Sequence, residues 1–343
     1  MKDLEKVFFG ELKVMHDGAQ RFAEAFAEME KTAISPEVKH GFAEGKEQAK
    51  RHAGRIHDAF DALGQTPEAS TCHGMRGIIQ EGQLLAGELE GESAVDAGLL
   101  AVAEKGVHVA IASHGCLCMW ADELGYTRPA DLLKQNLGEA KEVCARLRRQ
   151  AEAAQAREMK GEHELERLFV RQLREIFDGE HLLVKALAEV EFYAVSRLLK
   201  LAVHYHLSQT RQHVKNVEEA FAALGETADR RPCDGIEGII DDAQVAVLEF
   251  LGNSALDAAL IASAQKAERY EMAAYQNLSR WAGQLRRGQV LELLQENLSE
   301  EIATDKKLTL AAEMLINPRA RRHEMPKQPH EKAEFLKLAT HGT

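Results

Sequence analysis

The residues of this sequence best suited to chemistry are carboxylate and imidazole side chains at helical spacing in its C-terminal half. They lie at steps of three and four among apolar residues, so each would share a helical face with its apolar neighbours. An unpaired carboxylate inside a protein is unfavourable by several kilocalories per mole unless it is protonated, ion-paired or metal-bound. We find no Lys or Arg at these inward positions. The pattern therefore predicts metal ligands: Glu180, His206, Gln209, His213, Glu268, Glu271, Glu301 and Asp305.

Oxygen and nitrogen ligands of this kind favour iron or manganese over softer metals. The set divides into two similar halves, each with one Glu and a pair of residues spaced by four, which keeps the pair on one helical face. The halves are Glu180 with Gln209 and His213, and Glu268 with Glu301 and Asp305. They predict a dinuclear iron or manganese centre. Any single member could instead be a hydrogen-bonded core residue, but that explanation does not extend to the whole set.

The elements that must position these residues belong to an internal repeat. Shifted by 161 positions, the sequence aligns with itself without a gap from Val7 to Arg149. Trp120 then matches Trp281, and both are expected to be packing anchors. Gapless spacing predicts helices and loops of equal length in both copies. The predicted organisation is a first copy over residues 1–150, a linker over 151–162, a second copy over 163–316 and a basic tail over 317–343.

Each copy is predicted to contain four main helices and one short helix. In the second copy, the second helix should end at Gly225, since glycine is favoured at that position. Ser254 and Asp257 form a capping-box pattern that predicts the start of the third main helix, and Ser93 and Asp96 repeat it. Short loops on either side of one long crossover are typical of the ferritin-like arrangement. The predicted fold class is all-α, with two tandem ferritin-like four-helix bundles, each with a long crossover containing a short helix.

Four segments of the second copy, in order, resemble the YciE/YciF family of ferritin-like stress proteins. They are Phe177–Leu183, Cys233–Ile240, Asp257–Glu271 and Glu300–Leu308. The likeness covers nearly all of the second copy and, more faintly, the first. It implies a bundle with a dimetal centre, often described as a ferroxidase, and a dimeric assembly. By position, the carboxylates of the family match Glu180, Glu268, Glu271, Glu301 and Asp305.

One position departs from the family pattern. The resemblance implies a Glu on the second helix where this sequence has Gln209. An amide is a neutral and weaker ligand, which lowers the expected occupancy of a two-iron site. His206 and His213 would compensate in part.

The first copy lacks the acidic ligands. At the positions of the five carboxylates it has Ala19, Val107, Ala110, Ala140 and Cys144, and from the rest of the set it keeps Gln48 and His52. This loss removes the ligands that hard cations need. Histidines and a cysteine at inward positions could form a softer zinc or copper site, although core histidines that satisfy each other are the simpler alternative. The residues concerned are His16, His52, His114 and Cys144.

Composition limits the remaining alternatives. A net charge of −12 argues against general affinity for nucleic acid. No stretch approaches the ~20 apolar residues of a membrane span, and the N-terminus lacks the apolar core of a signal peptide. Five cysteines without zinc-like spacing argue against a disulfide framework. We therefore expect a cytoplasmic protein without a membrane partner. The basic tail over 317–343 is expected to be mobile.

Two functions remain open from the sequence. The first is a metal-binding protein with iron or manganese in the second copy alone, which would oxidise Fe²⁺ with O₂ or peroxide in stress or iron handling. The alternative is a non-catalytic helical stress or scaffold protein with a residual structural metal or none. In either case the short linker gives the copies an effective concentration in roughly the millimolar range. We therefore expect them to pack as an internal pseudo-dimer with approximate two-fold symmetry.

Overall fold

The computed structural model describes residues 3–89, 94–156 and 162–322, where all regular secondary structure is helical. The helices of the first copy are α1 (Asp3–Thr32), α2 (Pro36–Ala62), α3 (His73–Glu88), α4 (Val95–Leu124) and α5 (Thr127–Ala156). Those of the second are α6 (Glu162–Tyr193), α7 (Arg197–Leu224), α8 (Asp234–Phe250), α9 (Leu256–Gln284) and α10 (Gly288–Ala311). A π-helical turn (Ala312–Ile316) and α11 (Asn317–Arg321) follow.

Four long helices form each bundle, and one short helix lies in its long crossover. Within the bundles α1 packs on α2 and α4 on α5, as α6 packs on α7 and α9 on α10. The apolar stripes of these amphipathic helices meet in cores that draw residues from both copies. The short helices α3 and α8 fill the crossovers. The predicted all-α class of two tandem ferritin-like four-helix bundles is confirmed.

The predicted capping boxes act differently from the expectation. Gly225 does end α7, with a left-handed φ of 74°. Asp257, however, does not cap its own helix. Its carboxylate accepts hydrogen bonds from the backbone nitrogens of Val195 at 2.7 Å and Ser196 at 2.6 Å. It therefore ties the third main helix to the turn between the first two, and Asp96 does the same in the first copy. Ser93, the serine of the capping box predicted in the first copy, lies outside the described residues.

Equivalent helices of the two copies pack against each other, α3 against α8 and α4 against α9. The short helices cross at glycines. A Cβ atom on Gly77 would overlap the carbonyl oxygen of Asp234, and one on Gly238 would overlap that of His73. These are the same contact seen from opposite copies, because the residues correspond under the repeat. Such reciprocity is the property of an isologous interface, and it fits the predicted internal pseudo-dimer.

The short helices also cap each other's N-termini. The Asp242 carboxylate of α8 accepts hydrogen bonds from the backbone nitrogens of His73 at 3.0 Å and Gly74 at 3.1 Å. The equivalent Glu81 of α3 accepts one from the backbone nitrogen of Gly235 at 2.8 Å. A carboxylate at a helix N-terminus satisfies free N–H groups and interacts favourably with the helix dipole. Each copy therefore completes a helix end of the other.

Gly77→Ala is expected to lower the free energy of unfolding by about 1–3 kcal/mol, because its methyl group would overpack the crossing of α3 and α8. The matched control is Gly54→Ala in α2, where an added Cβ meets nothing within 4 Å. This control should instead stabilise the protein by about 0.5–1 kcal/mol, since alanine favours a helix interior. Urea denaturation of both variants checks the pair. Equal effects of the two substitutions would contradict the close crossing.

The segments between and after the bundles are partly helical. Residues 151–156 of the predicted linker belong to α5, and residues 157–161 lie outside the described residues. The start of the predicted tail forms α11, where Asn317 accepts a hydrogen bond from Trp120 Nε1 at 3.1 Å. The rest of the tail, from residue 323, lies outside the described residues. Across the described part of the chain, each helix is too short or too polar to cross a membrane.

Candidate metal centre

The eight predicted side chains come from the four long helices of the second bundle. Gln209 is half-buried and the other seven are buried. Glu180 and Glu301 have no exposed surface at all. By element they are Glu180 on α6; His206, Gln209 and His213 on α7; Glu268 and Glu271 on α9; and Glu301 and Asp305 on α10. Helical periodicity therefore directs a polar set into the bundle interior from all four sides.

Five of these side chains form two overlapping groups of three. Glu180, His213 and Glu301 each offer a ligand atom, and these atoms lie within 4.8 Å of one another. His206, Glu268 and Glu301 meet the same condition. Within the described ranges, no other His, Cys, Asp or Glu side chains form such a group. Glu301 belongs to both, and a shared carboxylate is the arrangement that would hold two metal ions side by side.

Several atoms of the site are close together without being hydrogen-bonded. His213 Nδ1 lies 2.8 Å from Glu301 Oε1, yet the two are not aligned as donor and acceptor. One oxygen each of Glu180 and Glu268 and both oxygens of Glu271 are buried without a hydrogen-bond partner. Buried polar atoms of folded proteins almost always have partners. This concentration of buried acceptor oxygens around one point fits a site built for cations.

Burial and mutual repulsion perturb the protonation of the site. Burial, reinforced by the charge of Glu301, raises the pKa of Glu268 and of Glu271 well above the usual value. Burial also raises the pKa of Glu180. At His213, burial opposes protonation, but the charges of Glu180 and Glu301 outweigh it and raise the pKa to about 12. Without a metal ion, protons must therefore supply the positive charge that these carboxylates need.

Glu301 differs from the other glutamates of the site. Burial alone would raise its pKa, but the close approach of His213, Glu268 and His206 outweighs burial and lowers the pKa to about 2. The shared residue is therefore the carboxylate most strongly held in its ionised form. That is the form in which a carboxylate binds a cation.

Asp305 lies beside the two groups and has a partner of its own. Arg269 Nη2 donates to Asp305 Oδ2 at 2.7 Å, and Gln265 Nε2 lies 3.5 Å from Asp305 Oδ1. The expectation that no Arg or Lys neutralises the acidic set is therefore wrong for this member. Arg269 follows Glu268 on α9 and is 29% exposed along its side chain, so its long side chain reaches α10 from outside the inward face. Glu271 belongs to neither group, and both of its oxygens are buried without a hydrogen-bond partner. The amide oxygen of Gln209 is likewise buried without a partner.

Two residues that the sequence did not place in the site support its ligands. Glu300 Oε2 lies 2.9 Å from His213 Nε2, and the Tyr275 hydroxyl donates to Glu180 Oε1. Supporting contacts of this kind fix the orientation and tautomer of ligands. Tyr275 belongs to an apolar stripe, where an aromatic residue indicates only core packing. Glu300 is one of several acidic residues on α10, so neither had a distinct sequence signal.

The first copy keeps a histidine at the site and Glu139, the counterpart of Glu300, 3.4 Å from its Nε2, but not the inner carboxylates. His52 corresponds to His213, and its ring packs edge to face against that of His114 with centroids 5.5 Å apart. Burial lowers the pKa of His52 to about 4, because the two carboxylates that protonate His213 are missing. In the described part of this copy, His16, His52, His114 and Cys144 do not form a ligand group. These four side chains therefore do not converge in the way that the soft-metal alternative requires.

Comparison with known proteins matches each copy to the same family. The family described as Domain of unknown function (DUF892) matches residues 3–160 and again residues 164–321. Protein YciF of Escherichia coli (strain K12) is 34% identical over 157 residues, which are 46% of this chain and 95% of that protein. Each match therefore covers one copy of the repeat.

Two solved structures are similar to one copy in the same way. The crystal structure of the Escherichia coli stress protein YciF has 35% identity and a TM-score of 0.42, covering 43% of this chain and 94% of that one. YcfI of Rhodopseudomonas palustris, described as a proposed structural protein, has 32% identity and a TM-score of 0.42, covering 43% of this chain and 95% of that one. With family matches over both copies, the chain belongs to the DUF892 family of YciF-like proteins, as a tandem duplication of its domain.

Proposed function

We propose that the second bundle binds two divalent metal ions, iron or manganese, between α6, α7, α9 and α10. The observation that carries this proposal is that buried Glu301 is shared by two ligand groups and has no hydrogen-bond partner for either oxygen. Glu180 and His213 would hold one ion, and His206 and Glu268 the other. Glu301 would lie between the ions, with Glu271 and Gln209 as additional ligands, whereas Asp305 is paired with Arg269 and would not coordinate either ion.

Charge supports two ions over one. Glu180, Glu268, Glu271 and Glu301 would together carry four negative charges when ionised, and all four are buried. The charge of Asp305 is already matched by Arg269. Two divalent ions balance the four carboxylates, whereas one would leave two buried negative charges uncompensated, which is strongly unfavourable.

Such a site suits the oxidation of Fe²⁺ as a substrate. Two Fe²⁺ ions each lose one electron, and one O₂ takes up both electrons and two protons to give H₂O₂. Glu268 and Glu271 hold protons because of their raised pKa values, and entry of cations would displace those protons close to where O₂ needs them. The same carboxylates, once ionised, stabilise the more highly charged Fe³⁺ product.

A non-catalytic role is the second candidate, and Gln209 is the observation that favours it. Its amide oxygen is buried without a partner but carries no charge, so it binds a cation less strongly than the Glu that the family resemblance implies. YcfI, a relative, is also described as a proposed structural protein. In this case the metal pair would stabilise the bundle without turning over Fe²⁺.

Aerobic oxidation of Fe²⁺ separates the two candidates. The protein should oxidise Fe²⁺ faster than buffer alone, and Glu180→Ala should slow this by roughly tenfold or more, the scale of loss when a metal site is disturbed. Gln209→Glu should raise the rate by restoring a charged ligand. The matched control is Gln48→Glu at the equivalent position of the first copy, which should give no increase. Oxidation no faster than in buffer, in a protein that still binds iron, would establish the structural role.

The proposal also covers the cellular compartment of the protein and the assembly of its two bundles. All five cysteines are free thiols, which supports a reducing compartment such as the cytoplasm. The first bundle, without acidic ligands, would serve as the permanent partner of the second through α3 and α4. Because the net charge is −12, which disfavours contact with a phosphate backbone, the proposal does not include general binding to nucleic acid.

A further inference from the structure

A cavity of about 340 Å³ lies in the second bundle, next to the proposed metal centre. Its walls are mainly apolar and include Leu187, Leu198, Val203 and Leu308. His206 and Gln209 also line it, so the cavity reaches two of the proposed ligands. Its volume falls within the range of about 300–1,000 Å³ usual for small-molecule sites.

The first bundle has filled the equivalent space. Under the repeat, Leu187 corresponds to Phe26 and Val203 to Phe42, whose rings pack with centroids 6.0 Å apart. His206 corresponds to Gly45, where a Cβ atom would lie only 2.9 Å from the Phe26 ring. The copy with the acidic ligands keeps the cavity, and the copy without them closes it with aromatic rings. Because both copies share the fold, this comparison associates the cavity with the proposed metal centre and not with the fold itself.

The size and lining of the cavity indicate its ligand. One water-sized molecule takes up about 30 Å³ in the liquid, so O₂ alone would need a small fraction of this volume. Apolar walls discriminate against a polar ligand, which would lose hydrogen bonds to water on entry. The cavity therefore suits an extended hydrocarbon chain.

The rim of the cavity carries a positive charge. Lys307 and Tyr205 both line it, and Lys307 Nζ lies 5.3 Å from the centre of the Tyr205 ring. Tyr205 is 55% exposed, which places this pair at the solvent side, opposite buried His206. A ligand with an apolar chain and one anionic head would place its chain inside and its head at Lys307.

We propose that this cavity binds a medium-chain fatty acid, with its carboxylate at Lys307 and its chain directed towards His206. Presentation of the chain to a metal centre rests on the proposed function, whereas binding itself does not require a metal. The two are therefore separable by experiment.

Decanoate titrated calorimetrically into the full chain, stripped of metal with a chelator, is expected to bind at about one molecule per chain. Val203→Phe copies the first bundle and should weaken binding by about tenfold or more through overpacking. Ala202→Phe, at another residue that lines the cavity, is a second variant in case the first misfolds. Leu248→Phe is the control, because Leu248 is 82% exposed and does not line the cavity. It should bind decanoate like the wild type.

The head group is tested with Lys307→Gln. This variant should weaken decanoate binding by about twofold to fivefold, as expected of an exposed ion pair, and leave decanol binding unchanged. No saturable binding of decanoate, or binding insensitive to both Phe variants, would overturn the inference. Equal losses of decanoate and decanol would overturn the fatty acid in favour of an uncharged ligand. Mn²⁺ binding by Val203→Phe should match the wild type, so failure of the metal centre and failure of this inference give different results.

Discussion

Substituting Glu301 with Ala is expected to abolish the binding of both metal ions, because this carboxylate belongs to both ligand groups. Calorimetric titration with Mn²⁺ should give about two ions per wild-type chain, as in dinuclear bundle sites, and no measurable binding by the variant. Glu268→Ala removes a ligand from one group only, so it should lose one ion and keep the other.

Asp305→Asn is the matched control for that experiment. Asp305 lies on the same helix as Glu301, one turn away, but its carboxylate is paired with Arg269 at 2.7 Å. The substitution should therefore leave the stoichiometry unchanged. Circular dichroism checks that the variants are folded. If Glu301→Ala titrates like the wild type, Glu301 does not bridge two ions.

The stability of the metal-free protein is expected to fall as the pH rises from about 5.5 to 7.5. Glu268 and Glu271 have pKa values well above the usual glutamate value of 4.5 in the folded state, so the folded protein keeps protons that the unfolded chain has released. Stability therefore falls with rising pH, by about 1.4 kcal/mol per pH unit for each proton retained. Bound metal ions should reverse the trend, because they require ionised ligands.

Urea denaturation at several pH values measures this dependence. The double variant Glu268→Gln, Glu271→Gln removes both titrating groups while keeping side chains of similar shape. Metal-free, it should show a shallower dependence and exceed the wild type in stability at pH about 7.5. Parallel pH dependences of the two proteins would show that these carboxylates are not buried as the structure places them.

The sequence was sufficient to predict what depends on one helix at a time. Helical periodicity places Glu180 and Glu301 on inward faces, and the repeat transfers helix lengths from one copy to the other. The four-helix architecture follows because two short loops and one long crossover leave few alternatives. The same helical periodicity predicts that both glutamates are buried.

The remaining features depend on distances between elements that are far apart in sequence. Arg269 lies next to Glu268 yet neutralises Asp305 on another helix, and periodicity does not show where a long side chain ends. The acidic residue of the expected capping box binds the backbone of a distant turn, because the packing of α9 against α6 brings it there. The sequence of one copy alone likewise does not reveal the cavity beside His206. It becomes evident when the packed side chains of both copies are compared.

The metal content of the full-length protein, purified without chelator, tests the central claim most directly. Elemental analysis should find iron or manganese at up to about two ions per chain, as a dinuclear site requires, and none above background in Glu301→Ala prepared in parallel. After removal of metal, the wild type should regain the same content on incubation with Fe²⁺ under anaerobic conditions or with Mn²⁺. Absence of metal both before and after this reconstitution, or equal content in the variant, would contradict a dinuclear centre at Glu301.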